Sequence, residues 1–223
     1  MRLTRALLAC GVAGPVLFLT VVLIEGATRP GYSAWRNAGS QLALGDQGWV
    51  QTANFFASGL LFVGFAIGLR RALRSGRASA WAPRLVAGMG ACLLLAGIFP
   101  VNPGLGYPPG VAPTYSLQGA VHFVVATLLF GQLSAVCFVL ARRFATDASW
   151  TGWAPWSMAI GVIVAVFYVG TVVLSSIDLE GTGPAAWDGL LQRISIFSGF
   201  AWLSLVGSRL SATHWPRRQA SWR

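Results

Sequence analysis

Six long apolar runs constrain the fold of this 223-residue sequence more than any other feature. The hydrocarbon core of a bilayer is about 30 Å thick, and a helix needs about 20 mostly apolar residues to cross it. None of the runs shows the alternation of a barrel strand. The sequence therefore predicts an all-α polytopic membrane protein, with six transmembrane helices bundled in one integral membrane domain over residues 1–223. The predicted helices cover residues 6–25, 49–69, 81–100, 118–141, 156–177 and 186–210.

The composition excludes a soluble domain and a disordered chain. Only 10% of the residues are charged, whereas hydrophobic residues make up 55%. A soluble domain of ordinary composition has about 25% charged residues, and a disordered chain has far less apolar surface to bury. The first run also lacks a clean cleavage site after it, so we interpret it as a retained helix and not as a signal peptide.

The distribution of arginine predicts how the chain is oriented. All sixteen basic residues are arginines, and thirteen of them fall at one side of the predicted bundle, which includes both termini. Cytoplasmic segments carry the excess of positive charge in membrane proteins. Both termini are therefore predicted to be cytoplasmic. The net charge of +10 indicates orientation and attraction to anionic membrane lipids, and it does not indicate a nucleic-acid partner.

No motif for a metal or a cofactor is present in the sequence. Cys10, Cys92 and Cys137 lie far apart in apolar runs, without the spacing of a zinc site. The chain also lacks a P-loop, a G-x-G-x-x-G fingerprint, an H-E-x-x-H helix and a G-x-S-x-G elbow. We therefore expect neither a metal nor a cofactor.

Polar residues inside the predicted spans are the only chemical clue, because such groups are costly in a bilayer and tend to face a bundle interior. They share one level near the ends opposite the arginines. This level predicts a polar chamber open to the outside. The candidate binding residues within or beside the spans are Asn54, Gln118, Asp178, Asp188, Gln192 and Arg193, and His122 is the candidate catalytic residue.

Arg193 has three interpretations, and His122 has two. Arg193 lies about five residues into the sixth span. There it fixes helix packing through a buried ion pair or hydrogen bonds, contacts an anionic substrate or lipid headgroup, or extends its guanidinium to the membrane surface. Asp178, Asp188 and His122 are its expected partners. His122 is either a hydrogen-bonded structural residue or a general base.

Two outer loops complete the predicted chamber. The first contains Ser40 and Gln41, which are further candidate binding residues. The second, over residues 99–117, has five prolines and no charged residue. Because proline disfavours a helix, this segment is predicted to be a fixed, extended cap. It is either a lid over the chamber or a plain connector.

An ordered set of short motifs resembles the DUF998 family of prokaryotic membrane proteins, over nearly the whole chain. The resemblance implies six helices and a location in the prokaryotic inner membrane, but no reaction, because the family's function is unknown. The family pattern usually has an acid at Gln41, an aspartate at Asn102 and often a histidine at Gln118. The matching positions are Gly31-Tyr32, Ser40 to Gly45, Phe99-Pro100, Asn102-Pro103, Ser116 to His122 and Gly189 to Arg193.

Three functions remain open from the sequence. The first is a membrane protein that binds a lipid or a small amphiphile in the outward chamber. The second is an outer-leaflet enzyme that acts on a lipid-linked substrate, with His122 as base and Arg193 holding an anionic group. The third is a small-solute transporter. Polar groups at the bilayer midplane are typical of transporters, whereas the polar groups here are predicted to lie nearer the outer surface of the membrane.

Overall fold

Six long helices make up most of the described part of the protein. The computed structural model describes residues 2–73, 75–76, 78–177 and 187–213. All six helices are long and apolar enough to cross a membrane, and no β-strand occurs in the described part of the chain. The predicted six-helix membrane fold is confirmed. The helices are α1 (Arg2–Thr28), α2 (Gly48–Ala72), α3 (Ala78–Ile98), α4 (Leu117–Phe144), α5 (Trp153–Ile177) and α6 (Asp188–Thr213).

The helix ends differ from the predicted ends by a few residues. Helix α3 ends at Ile98, two residues before the predicted end at Pro100, and this difference has a clear physical cause. A residue that precedes proline is driven out of helical conformation by the proline ring. Phe99 therefore leaves the helix, and its carbonyl becomes available to another partner.

The helices form a closed ring in chain order. Each helix contacts the next one along the chain, and α6 returns to contact α1. Glycines allow close approach on both sides of α1. A Cβ atom on Gly68 of α2 would lie 2.9 Å from the backbone of Leu7, and one on Gly207 of α6 would lie 3.0 Å from the backbone of Gly11. Small residues at such crossings let transmembrane helices gain van der Waals contact.

Aromatic side chains fill the centre of the ring. The ring of Phe200 on α6 lies 5.3 Å from that of Phe18 on α1 and 5.0 Å from that of Phe62 on α2. All three are buried. Many large apolar side chains on the opposite faces of the helices are exposed instead, such as Leu60 and Val166. This distribution suits a bundle that has lipid around it.

The two ends of the bundle differ in their connections. At the end that holds the start of α1, short connections join α2 to α3 and α4 to α5. There the guanidinium of Arg209 lies over the rings of Trp150 and Trp153, at 4.9 and 5.2 Å. At the opposite end, a first loop (residues 29–47, with a 3-10 helix over Gly39–Ala43) and a second loop (residues 99–116) cover the helix ends.

Candidate functional site

A cavity of about 220 Å³ lies beneath the two loops. We call it the main cavity. Its walls come from α4, α5 and α6, and its roof comes from the 3-10 helix and the second loop. Residues 101–105 and 113–115 of the second loop line the cavity. Polar or ionisable side chains in the lining include Ser40, Gln41, His122, Tyr168, Asp188 and Gln192.

A smaller, mostly apolar pocket of about 50 Å³ adjoins the main cavity. We call it the inner pocket. Four lining residues belong to both spaces: Ser40, His122, Ala126 and Gln192. The inner pocket continues among aromatic and aliphatic side chains such as Phe18, Phe55 and Leu129. A space lined by several polar side chains and a mostly apolar space therefore meet around His122.

His122 is buried and held in one orientation. Only 3% of the residue is exposed, and its Nδ1 atom lies 2.7 Å from the main-chain oxygen of Phe99. A carbonyl oxygen can only accept, so Nδ1 carries the proton. In the neutral ring Nε2 then has the lone pair, as in an imidazole that is oriented to act as a base. The ring also meets Phe55 edge-on, at 6.1 Å.

Asp188 supplies a buried carboxylate at the start of α6. It is 2% exposed, and its Oδ1 atom accepts a hydrogen bond from the Ser175 hydroxyl of α5. The Thr171 hydroxyl donates to its main-chain oxygen at 3.5 Å. A carboxylate in the first turn is favoured by the helix dipole. Among the described residues that line the main cavity, Asp188 is the only carboxylate.

Arg193 binds main-chain oxygens of the first loop. Its Nη1 atom donates to the carbonyls of Ala34 at 2.7 Å and Asn37 at 2.8 Å, and to that of Gly189 at 3.0 Å. Its Nη2 atom donates to the hydroxyl of Tyr32. The structure describes no carboxylate beside this guanidinium. These contacts support the structural interpretation of Arg193, with carbonyl oxygens as partners in place of the acids expected from the sequence.

The amino end of α6 binds the same stretch of the first loop. The amides of Gly189 and Leu190 donate to the carbonyls of Arg36 and Trp35, at 3.2 and 3.0 Å. These amides have no partner inside the helix. The approach is close because residue 189 is glycine: a Cβ atom there would lie 2.4 Å from the oxygen of Asn37.

Two glutamines that line the main cavity also hold its roof. The Oε1 atom of Gln192 accepts a hydrogen bond from the Gly39 amide at 2.8 Å. Gln41 accepts one from the Ala38 amide at 3.0 Å, and its Nε2 atom donates to the Gly104 carbonyl at 2.7 Å. Gln41 therefore joins the first loop to the second. The side chain of Ser40 lies at the boundary between the main cavity and the inner pocket.

The remaining candidates lie apart from the cavity or outside the described residues. Asn54 is buried where α2 meets α1, and its Nδ2 atom donates to the Phe18 carbonyl at 3.3 Å. Gln118 is exposed at the start of α4. Neither residue lines the main cavity or the inner pocket. Asp178 lies outside the described residues.

One buried ion pair lies outside the set of residues that was predicted from the sequence. Glu25 at the end of α1 accepts a hydrogen bond from the guanidinium of Arg29, and both residues are buried. Arg29 also donates to the carbonyls of Leu44 at 3.2 Å and Gln47 at 3.1 Å. The i,i+4 spacing of Glu25 and Arg29 was a signal that could have identified the pair.

The second loop is ordered by its own contacts. Gly104 and Tyr107 exchange two main-chain hydrogen bonds, each of 3.1 Å, around a turn in which Leu105 has φ of 54° and Gly106 of 74°. Tyr107 is buried and meets the ring of Tyr32 edge-on, at 5.3 Å. The second loop is thus fixed and not helical, as the prolines predicted.

The start of α4 explains another short motif. The Ser116 hydroxyl accepts from the Gly119 amide at 3.0 Å and so caps the helix. The same hydroxyl donates to Oδ1 of Asn102 at 2.8 Å. A Cβ atom on Gly119 would lie 2.1 Å from Asn102, so only glycine leaves room for this contact. One turn later, His122 binds the carbonyl of Phe99.

The family comparison agrees with these motifs. A family model described as a protein of unknown function, DUF998, matches residues 12–209. The chain belongs to the DUF998 family. Neither the comparison with curated proteins nor that with solved structures finds a match. For this DUF998 protein, the predicted family is therefore confirmed, and the chemistry must be argued from the site itself.

The donor set of the DUF998 site lacks a cluster suited to a metal ion. Within the part of the chain that the structure describes, no three His, Cys, Asp or Glu side chains lie close enough to hold one. Cys92 and Cys137 are buried, and Cys10 is partly buried. What the site offers is a mixed lining with one carboxylate, one imidazole, the guanidinium of Arg193 in the inner pocket and several hydroxyl and amide groups around an apolar space.

Proposed function

We propose that this protein binds a lipid or another small amphiphile in the main cavity, as a multi-pass protein of the prokaryotic inner membrane. The observation that carries the proposal is the meeting, around His122, of a cavity lined by several polar side chains and a mostly apolar pocket. A polar headgroup finds hydrogen-bonding partners in the first space, and a hydrocarbon chain finds apolar partners nearby. Ligand sites in proteins commonly combine an apolar lining with a few polar groups.

The part of the main cavity that borders α4 and α5 supports access from the bilayer. The two helices meet where the hydroxyls of Thr127 and Tyr168 lie 2.9 Å apart and the ring of Phe130 stacks on Tyr168 at 4.0 Å. Nearer the loops, Phe123 of α4 and Val172 of α5 line the main cavity. Phe123 is also 50% exposed. A chain that leaves the cavity beside Phe123 therefore enters lipid.

The size of the cavity suits a headgroup and not a whole lipid. Sites that enclose drug-sized ligands have volumes of about 300–1,000 Å³. The main cavity is smaller, at about 220 Å³. A headgroup with the first part of its chain fits this space, and the rest of the chain lies in the bilayer.

The distribution of arginine supports an outward-facing cavity with both termini in the cytoplasm. Arg142 and Arg143 end α4, Arg70 and Arg71 end α2, and these ends lie opposite the cavity. Positively charged segments stay in the cytoplasm. Reporter fusions at each terminus test this orientation, and a terminus found in the periplasm contradicts it.

Binding is tested by filling the cavity. Ala126 lines both spaces, so the larger side chain in Ala126→Phe fills part of each. Its matched control is Val124→Phe, which adds a ring to the same helix at a side chain that is 55% exposed. Each variant is placed in phosphatidylcholine nanodiscs with a photoactivatable dodecyl glycol. We expect labelling of the lining segments of α4 and α5 in the unaltered protein and in the control, and its loss in Ala126→Phe. Labelling that Ala126→Phe leaves unchanged contradicts the proposal.

A second candidate is an enzyme that acts on a lipid-linked substrate. The oriented imidazole of His122 favours it, because Nε2 has a lone pair in the neutral ring and the residue lines the main cavity. Incubation with the lipids of a bacterial membrane, followed by mass spectrometry of products, tests this candidate. Product formation that is lost in a folded His122→Asn variant supports it.

The transporter alternative has less support. Transporters often place the site where helices break near the midplane of the bilayer. The helices α4 and α5 continue unbroken past the main cavity, over Leu117–Phe144 and Trp153–Ile177. The polar groups of the cavity also lie near one end of the bundle, beneath the loops.

A further inference from the structure

The electrostatic character of the main cavity is opposite to that of the chain. The protein has a net charge of +10. Among the described lining residues, however, the carboxyl group of Asp188 is the only acidic or basic group besides the imidazole of His122. Asp188 is almost fully buried, and no described arginine forms a salt bridge with it. A cavity in a basic protein thus presents an acidic group without a cation.

Two of the three described arginines at this end of the bundle have partners in the structure, and Arg36 of the first loop is the third. Arg193 donates to three carbonyls and to the Tyr32 hydroxyl. Arg29 is paired with Glu25 and donates to carbonyls of the first loop. None of the three lines the main cavity, although Arg193 lines the inner pocket. The described lining of the main cavity therefore holds no guanidinium that could receive an anionic headgroup.

The other groups around Asp188 suit a donor-rich headgroup. Oxygen atoms of Thr171 and Ser175 lie beside it, and His122 lines the same cavity, where Nε2 is an acceptor when the ring is neutral. Tyr168 also lines the cavity, and an aromatic face attracts a cation. An ammonium group has three donors and no acceptor, so it matches a site of this kind.

We propose that the amphiphile bound in the main cavity has a cationic amine headgroup, which donates to the carboxylate of Asp188, while its chain leaves between α4 and α5. This inference rests on the proposed function and specifies its ligand class. It replaces the sequence-based expectation of an anionic group held by Arg193, because that guanidinium binds loop carbonyls. A buried carboxylate with an ammonium partner forms a charge-assisted hydrogen bond, which is stronger than a neutral one.

The test compares three photoactivatable probes that share one dodecyl chain and differ in headgroup: ammonium, glycol or sulfate. Labelling of the cavity-lining peptides is measured in phosphatidylcholine nanodiscs and competed with unlabelled dodecylamine. We expect the ammonium probe to label at concentrations about tenfold lower than the glycol probe, which corresponds to about 1.4 kcal/mol. The sulfate probe should be the weakest.

The variant Asp188→Asn tests whether the preference for the ammonium probe depends on Asp188. The amide keeps an oxygen that accepts from Ser175 and removes the charge, so the ammonium and glycol probes should label this variant equally. The matched control is Asp147→Asn at the opposite end of the bundle, where the carboxylate accepts from Ser149. This control should keep the full preference. An ammonium preference that persists in folded Asp188→Asn contradicts the assignment.

The outcomes separate this inference from the proposed function. Equal labelling by all three probes, or a preference for sulfate, overturns the cationic headgroup and leaves amphiphile binding in place. The absence of cavity labelling by every probe overturns both. If Asp188→Asn does not fold, the three-probe comparison on the unaltered protein still decides between these outcomes.

Discussion

The Nη1 atom of Arg193 lies 2.8 Å from the main-chain oxygen of Asn37, a residue 156 positions earlier in the chain. This contact joins the last helix to the first loop. The same guanidinium also reaches the carbonyl of Ala34 and the hydroxyl of Tyr32. One side chain therefore binds several polar groups of the first loop at once. The roof of the main cavity depends on this conformation, because Gln41 joins the first loop to the second.

Replacement of Arg193 by lysine should destabilise the protein. An ammonium keeps the charge, but it cannot reproduce the planar set of donors that reaches Ala34, Asn37 and Tyr32 together. Unpaired carbonyls each cost about 1–3 kcal/mol when buried, so we expect a loss of about 2 kcal/mol and a fall in Tm of about 5 °C. Thermal unfolding in detergent measures the change.

The matched control for this prediction is Arg142→Lys. Arg142 is exposed in the last turn of α4, at the opposite end of the bundle. Its replacement should leave Tm within about 1 °C, as expected for a surface substitution. Equal Tm values for Arg193→Lys and Arg142→Lys would show that the contacts of Arg193 add nothing to stability.

Gly189→Ala should also destabilise the protein, for a steric reason. The added Cβ atom would lie 2.4 Å from the Asn37 oxygen and 2.8 Å from that of Ala34, and both atoms are backbone. Overpacking of this kind costs about 1–3 kcal/mol. The control is Gly131→Ala in α4, where a Cβ atom meets nothing within 4 Å. That control should be neutral or stabilising, because alanine favours a helix. Similar effects on Tm in both variants would contradict the steric explanation.

The helices could be predicted from the sequence because the thickness of the bilayer sets the apolar length that each helix needs, independently of the other helices. An apolar run long enough to cross is a local property, and all six runs coincide with helices. The ends were less predictable, because they depend on local chemistry. The proline that follows Phe99 ends α3 early, and Ser116 starts α4 by capping it.

The site was less predictable, because its decisive partners are backbone atoms. Arg193 was paired with acids on the basis of charge, but its partners are carbonyls, which every residue has. Which carbonyls come close is decided by the path of the loop and not by side-chain identity. The predicted depth of a residue in the membrane also could not distinguish Asn54, which faces α1, from His122, which lines the cavity.

The pair of Glu25 and Arg29 should show strong energetic coupling. Removal of one partner leaves a buried charge without its counter-charge, at a cost of about 3 kcal/mol or more. We therefore expect Glu25→Gln and Arg29→Met to be strongly destabilising alone. The double variant should be more stable than the sum of the two changes implies, by about 2 kcal/mol. Unfolding measurements on all four proteins complete the cycle. Additive effects would show that the two charges do not interact.

His122→Ala should lower Tm, because the carbonyl of Phe99 then has no donor. The expected cost is about 1–3 kcal/mol. His122→Asn retains a side-chain N–H group and should recover part of the loss. Val124→Ala, at an exposed position of the same helix, is the control for a change in side-chain size. If His122→Ala unfolds at the same temperature as the unaltered protein, the hydrogen bond to Phe99 is not what requires the histidine.

We expect the protein to lose stability at high pH because of the phenol of Tyr32, which lies beyond the end of α1. Burial raises the pKa of Tyr32, although the adjacent guanidinium of Arg193 acts in the opposite direction. The hydroxyl donates to the carbonyls of Asn37 at 3.0 Å and Ala38 at 2.9 Å, and it must be protonated to do so. In the unfolded chain the phenol titrates near a pKa of about 10. Because the folded-state pKa is higher, deprotonation favours unfolding.

The stability contributed by the neutral phenol is therefore fully present below pH ~10 and is lost as the pH rises through the folded-state pKa. Tyr32→Phe lacks this titration. The difference in Tm between the unaltered protein and Tyr32→Phe should stay constant from pH 7 to about 9 and shrink above about 10. Tyr115→Phe, in an exposed part of the second loop, controls for the other tyrosines. A difference that stays constant to pH ~11, or that shrinks equally in Tyr115→Phe, would show that the Tyr32 hydroxyl does not hold the loop.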